Sequence, residues 1–383
     1  MTDPRRRDLR RTAASVLLFA AVALAAGCSG TFASKTIVIP DEEERASSPD
    51  KLGDSFEAGA IFKLAGKGVE AGDWLGWLDA DSLLVAYRGR DGMIRLSSAD
   101  YRYETLRTLP VPESKAGPES LSPDGRRVAW EAWGDDGAKL LLRDVGKNGS
   151  EDGGASVQVD EKAGDRLGEP SWSGDGRYLA YAKKTSAAGR AKPVLVVYDV
   201  ERAVSNEYEI ADWSGEEIGS VRVSDDGTAA AFFFSSDGFA GVKLGELADG
   251  TFREWDEFAS ARDGLGEFAS GHRFVFTVGK GSLVLYDPEH ASTVTLAERV
   301  SGFRLSPDRE LVAYSDYGEE AIIVAKLQGN NLLGARPIYR GLRSPGLLWS
   351  PDGRKLLVNG RNATVPMPSE STEGDYPFVI ELK

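Results

Sequence analysis

Two histidines, a single cysteine and a recurring aspartate are the side chains of this 383-residue chain with the clearest chemical potential. His272 and His290 could act as bases or metal ligands, because imidazole titrates near neutrality and binds metals readily. They sit in two different loop sequences of one segment, GHRF and DPEH, and no third histidine exists to join them. Both are read as turn residues. Asp124, Asp175, Asp226, Asp308 and Asp352 recur in tetrads of the Ser-Pro-Asp-Gly kind. They could form a ring of carboxylates for a cation, but the reading adopted is that each bonds the backbone of its own turn. Arg126, Arg177 and Arg354 follow the turns and could line a channel mouth; the reading adopted pairs them with acids of the neighbouring repeat. Trp77, Trp172 and Trp349 precede turns at equivalent places and read as packing between repeats. Cys28 is the only thiol, which excludes a disulfide framework, a cysteine-based metal site and a cysteine nucleophile in the body of the chain. No Gly-x-Ser-x-Gly elbow, Walker loop, dinucleotide fingerprint or EF-hand loop occurs. Accordingly no catalytic residue, metal ligand or cofactor is assigned, and the binding residues are left unassigned.

The elements that must position these residues come from an internal repeat. The pattern is LSPDGRRVAW from Leu121, WSGDGRYLAY from Trp172, VSDDGTAAAF from Val223, LSPDRELVAY from Leu305 and WSPDGRKLLV from Trp349. Weaker copies start at Trp77 and Ala269. The marker serine or its counterpart falls at 78, 122, 173, 224, 270, 306 and 350, a spacing near that of a four-stranded propeller blade. Each tetrad is a tight reversal: proline presets φ, aspartate bonds the backbone ahead, and glycine adopts the φ that other residues avoid. A short apolar strand precedes it. A second strand follows it, then a third such as KLLLRDV or PVLVVYDV, then a fourth such as SVQVDE or TVTLAE. The expected fold is therefore all-β, a single propeller of seven four-stranded blades over residues 56–383. The seventh unit stops at its third strand, Phe378 to Leu382, so its fourth strand must come from elsewhere. Only FEAGAIFKL, Phe56 to Leu64, has the composition to close the ring from the N-terminal side. Burial of Ile61, Phe62 and Leu64, at roughly 1.5–3 kcal/mol each, would drive the closure.

On these tetrads the chain resembles the propeller of the TolB family and related bacterial propellers built from Ser-Pro-Asp-Gly repeats. Only the copies at Ser122 and Ser350 are complete; Gly174, Asp225 and Arg309 each replace a family residue. The resemblance implies a rigid disc that docks a protein or peptide partner on its faces or in its channel. It departs from the family in count, since the TolB propeller has six blades. No α/β segment follows the repeats, so the propeller-plus-hydrolase arrangement of prolyl oligopeptidases is not present. An enzyme with a polar site in the central channel, a lyase or glycan hydrolase, is the alternative reading.

The N-terminal end suggests where such a disc would work. Arg5, Arg6, Arg7, Arg10 and Arg11 precede an apolar run from Ala13 to Ala26 that is shorter than the roughly 20 residues needed to span a bilayer. The sequence Leu24-Ala25-Ala26-Gly27-Cys28 resembles the lipobox of bacterial lipoproteins, although the usual leucine lies one place further back, at Leu24. The resemblance implies a signal peptide over 1–27 and lipid attachment at Cys28. Residues 28–55 are polar and read as a tether, with a coil reach of roughly 30 Å. Removing residues 1–27 takes away five arginines against Asp3 and Asp8 and moves the net charge from −14 to −17. So anionic a body is repelled by nucleic acid and by anionic lipid headgroups, leaving lipid as the expected membrane contact. The expected protein is thus an extracytoplasmic, membrane-anchored monomeric disc in the cell envelope that binds an unidentified envelope protein or peptide.

Overall fold

The computed structural model describes residues 56–64, 73–103, 106–109, 117–134, 137–145, 156–160, 166–187, 190–211, 213, 217–236, 238–260, 264–362 and 377–383. The described elements are β-strands apart from one 3-10 turn, Ser270–His272. Strand β1 (Ala58–Lys63) precedes the repeats. The first unit holds β2 (Asp73–Trp77), β3 (Leu83–Arg88), β4 (Ile94–Ala99) and β5 (Leu106–Thr108). The second holds β6 (Pro118–Leu121), β7 (Arg127–Gly134), β8 (Gly137–Asp144) and β9 (Ser156–Asp160). The third and fourth hold β10 (Arg166–Trp172), β11 (Tyr178–Ala187), β12 (Arg190–Asp199) and β13 (Val204–Ile210), then β14 (Glu217–Val223), β15 (Ala229–Ser236), β16 (Phe239–Ala248) and β17 (Thr251–Ala259). The fifth and sixth hold β18 (Gly266–Phe268), β19 (Phe274–Val278), β20 (Ser282–Asp287) and β21 (Ser292–Ala297), then β22 (Val300–Leu305), β23 (Leu311–Asp316), β24 (Ala321–Gln328) and β25 (Asn331–Arg340). The seventh holds β26 (Leu342–Trp349), β27 (Lys355–Asn362) and β28 (Phe378–Leu382).

Successive strands of each unit pair antiparallel, and the arrangement is propeller-like. The seventh unit takes β1 as its outer strand, in the order β1-β28-β27-β26, with Ile61 opposite Ile380 and Phe62 opposite Val379. Leu64 is buried and Phe62 packs beside it, but Ile61 is 49% exposed, which corrects the expectation that all three drive closure. Strand alternation places Ile61 on the outer face, where no further sheet covers it.

The expectation of seven separate sheets is corrected as well. Among the described residues five units form four-stranded sheets, while the third and fourth join into one closed eight-stranded sheet. Two parallel contacts make the join: Glu169 with Ser220 between β10 and β14, and Glu209 with Thr251 and Ile210 with Phe252 between β13 and β17. Glycine permits the first. A Cβ at Gly168, whose φ is +70°, would lie 1.8 Å from the Gly219 carbonyl oxygen, so only glycine at 168 lets the strands approach this closely.

The apolar core lies between units rather than within them. Ala129, Leu140 and Leu142 of the second unit pack on Leu179, Tyr181 and Val196 of the third. Equivalent clusters join each unit to the next, and one joins Leu357 and Val379 of the seventh to Trp77 and Leu83 of the first. At their inner edges the first strands are stitched by side-chain bonds. The Trp77 indole donates to Leu348 O at 3.0 Å, Trp172 to Ser120 Oγ at 3.1 Å, and Trp349 to Arg304 O at 3.1 Å. The Ser171 hydroxyl bonds Val221 O across the third and fourth units.

Candidate ligand-binding cleft

The five tetrad turns lie at the C-terminal ends of the first strands and are built alike. In each, the buried serine hydroxyl donates to the aspartate Oδ1 at 2.5–2.6 Å. The same oxygen accepts the backbone N–H two residues on, at 3.0–3.2 Å. The serine Oγ accepts the N–H five residues on, at 2.8–2.9 Å. Asp124, Asp175, Asp226, Asp308 and Asp352 are therefore occupied within their own turns. Among the described residues no group of three or more His, Cys, Asp or Glu side chains could hold a metal ion.

The other residues singled out in the sequence also resolve locally. His272 Nε2 lies 2.7 Å from Asp226 Oδ2 and 3.1 Å from Thr228 Oγ1, tying the fifth unit to the fourth unit's turn. Both contacts use the same ring nitrogen. His290 Nδ1 bonds Asp287 Oδ2 of its own hairpin at 2.9 Å. Arg177 and Arg126 pair within their own units, which corrects the expectation of pairing with the next: Arg177 reaches Asp199 at 2.9 Å and Arg126 lies 3.8 Å from Asp124, while Arg354 makes no ion pair among the described residues. Cys28 lies outside the described residues.

The three tetrad departures meet in one place. Arg309 stands where the motif has glycine and keeps the glycine φ, at +64°. Its guanidinium reaches Asp225 Oδ1 at 3.7 Å and Glu267 Oε2 at 3.5 Å, and lies so close over Gly174 that a Cβ there would be 1.1 Å from Nη2. One side chain of the sixth unit thus touches the third, fourth and fifth.

The opposite ends of the strands are irregular. Residues of β14, the β15–β16 hairpin, Ser260, Gly264 and Glu169 of β10 surround an open cleft of about 660 Å³. Phe233 and Phe234 form its apolar wall and Phe239, 46% exposed, stands at its edge. Ser220, Ser235, Ser236 and Ser260 supply hydroxyls, and Glu169 and Glu217 supply carboxylates.

Arg222 is the cation of this cleft. It projects from the inner face of β14 because a bulge between Ile218 and Ser220 resets the alternation. Its Nε donates to Gly266 O at 3.1 Å and Nη1 to Val221 O at 2.9 Å, while its Cζ lies 5.9 Å from the Phe233 ring centroid. Among the described residues no carboxylate lies within ion-pair distance, and Nη2 makes no hydrogen bond. Burial, reinforced by nearby Arg304, pulls the Arg222 pKa down to about 10, against the opposing pull of Glu267 and Glu169. Glu267 cannot neutralise it, being held by Arg304 Nη1 at 2.6 Å and by the Leu305 N–H at 3.0 Å. Sequence reasoning missed Arg222, and the signal was present: the place two residues before the turn serine holds Gly76, Ser120, Ser171 and Leu348 in other units but arginine at 222 and 304.

A second charged cluster lies in the wall between the second and third units. Arg166 grips both oxygens of Glu119 and reaches Glu131 at 2.8 Å. Burial pushes the Glu119 carboxyl up and Glu131 adds to this, while Arg166 opposes it. With three side chains bonded to one another, the cluster is closed.

The chain matches no protein-family profile, and no curated protein is similar to it in sequence. Solved structures are similar in fold. An oligogalacturonate lyase in complex with manganese is 13% identical over 82% of this chain and 90% of that one, with a TM-score of 0.52. A chain of the mitotic checkpoint complex is 11% identical over 91% and 98%, with a TM-score of 0.50. TolB from Acinetobacter baumannii is 15% identical over 77% and 78%, with a TM-score of 0.42. At such identities the likeness is one of fold alone: the chain is an all-β protein of propeller-like architecture.

Proposed function

We propose that this protein is a non-enzymatic, extracytoplasmic binding module, held to a membrane by lipid on Cys28, whose propeller receives a protein or peptide in the cleft around Arg222. In this reading the closed eight-stranded sheet counts as two blades whose edges have met, giving seven blades in one monomeric disc. The observation that carries the binding role is a half-buried arginine with no carboxylate partner among the described residues, set between aromatic and hydroxyl side chains. A desolvated cation of this kind favours a ligand that brings its own negative charge. The cleft residues include serines but no histidine, lysine or tyrosine to activate one, so they suit recognition better than catalysis. Anchoring rests on the sequence around Cys28.

Site-specific photo-crosslinking in cells tests the reading. A photoreactive residue at Phe239 should give a discrete adduct in the membrane fraction, and one at exposed Arg354, on the turn side, should not. Equal adducts from both positions, or none from Phe239, would overturn the binding role; a Cys28→Ser chain that stays in the membrane fraction would overturn the anchor.

A further inference from the structure

The cleft's charges are arranged by depth, and the arrangement specifies a ligand. Arg222 is the half-buried cation beside Phe233, whereas Glu169 and Glu217 are exposed. A ligand that satisfies both places must carry its negative charge at the end that enters and positive or hydrogen-bond-donating groups behind it. Between them the apolar rings of Phe233, Phe234 and Phe239 call for a hydrophobic group beside the anion, and the serines suit the polar atoms of an amide backbone.

We infer that the cleft captures the free C-terminal carboxylate of a peptide whose last side chain is apolar and whose preceding residues include a basic one. The carboxylate accepts from Arg222 Nη2, which makes no hydrogen bond among the described residues. The terminal side chain lies against Phe239, whose ring is tilted over Phe234 at 6.0 Å, with Phe233 beside the carboxylate end. The upstream basic side chain meets Glu169 and Glu217. The strongly acidic body adds a long-range preference for such a basic peptide. The cleft volume of about 660 Å³ is ample for a few residues, and an internal segment would bring no terminal carboxylate to Arg222. The lowered Arg222 pKa agrees with this, since a bound carboxylate would restore the stability of the charged guanidinium.

This inference rests on the binding-module reading, and its test is separate. Fluorescein-labelled Ser-Lys-Ala-Phe, with a flexible spacer after the dye, is titrated with the full-length protein by fluorescence anisotropy, once with a free C-terminal carboxylate and once as the carboxamide. The carboxylate form should bind at least about tenfold more tightly, the scale of one charge-assisted contact. Arg222→Gln should bind both forms equally weakly, and Phe239→Ser should weaken the carboxylate form while keeping its advantage over the amide. Should Arg222→Gln fail to fold, the two peptides on the unaltered protein still decide. Equal affinity for carboxylate and carboxamide, or no saturable binding of either, overturns the inference. Displacement by free phenylalanine at an affinity equal to the peptide's overturns the peptide assignment. If crosslinking at Phe239 succeeds while both peptides bind alike, only the terminal-carboxylate inference falls.

Discussion

The two ends of the first strands differ in how they use the same chain. At their C-terminal ends five turns repeat one hydrogen-bonding scheme, with each serine and aspartate occupied inside its own tetrad. At the other ends the connections differ from unit to unit, and there an arginine is left without a carboxylate and three phenylalanines gather around a cleft. Repetition marks what every unit needs to fold; the chemistry that faces a ligand lies where a unit departs from the rest. Arg309 shows the same rule on the regular side. Its departure from glycine, with those at Gly174 and Asp225, builds a contact that no copy of the consensus could make.

The largest expected effect falls on the scaffold that both ends share. Deleting residues through Leu64 removes β1 and the burial of Phe62 and Leu64, a loss of about 3–6 kcal/mol, and exposes the edge of β28 to aggregation. Deleting residues 29–50 should leave melting unchanged. Thermal denaturation of the two truncations checks this, and identical melting would show that β1 does not close the ring.

Next comes the Arg309 contact. Gly174→Ala should cost about 1 kcal/mol, at the low end of overpacking, because its Cβ pushes the flexible Arg309 guanidinium off Asp225 and Glu267. In an Arg309→Gly background the same change should cost close to nothing, and a double-mutant cycle in urea measures the difference. Additive effects would mean that the three departures are independent.

The regular turns should be individually modest. Asp352→Ala should lose about 1 kcal/mol with its turn bonds and leave peptide binding as it was; a loss of binding without a change in melting would move the ligand to the turn end.

Asp226 gives this end a pH signature. Partial burial pushes its carboxyl up, but the Ser224 hydroxyl, the Thr228 N–H and His272 outweigh this and hold it below the usual carboxylate range. A depressed folded-state pKa stabilises above the unfolded value near 4 and is lost as pH falls toward the folded one. Between pH 5 and pH 3 the melting temperature should therefore fall less steeply in Asp226→Asn than in the unaltered protein; equal slopes would remove Asp226 from the account. The smallest effect on stability belongs to Arg222→Gln, which should melt within about 1 kcal/mol of the unaltered protein although peptide binding is lost. A large drop in stability would make Arg222 a scaffold residue.

Strands and turns were legible because they are local. Proline, aspartate and glycine in one tetrad determine a reversal, and Val128-Ala129-Trp130 or Leu179-Ala180-Tyr181 after it can only be strand. The partnership of β1 with β28 was legible for another reason: the seventh unit lacked a strand and one segment could supply it. The cleft was not, because Arg222 acquires meaning only when Phe239, Ser260 and Glu169 are brought beside it from three other strands or loops. Gly174, Asp225 and Arg309 were each visible as departures, yet their meeting depends on how the units curve around one another. The fusion of the third and fourth units turned on Gly168 facing Gly219, a backbone proximity that no pattern of hydrophobic residues encodes.

The β1–β28 ladder has a consequence in time. Ile61 pairs with Ile380, so β1 is made among the first folded residues and its partner among the last. At a synthesis rate of roughly 5–20 residues per second, β1 is complete tens of seconds before its partner exists. Closure therefore cannot precede the synthesis of residues 378–382, however early the other units form.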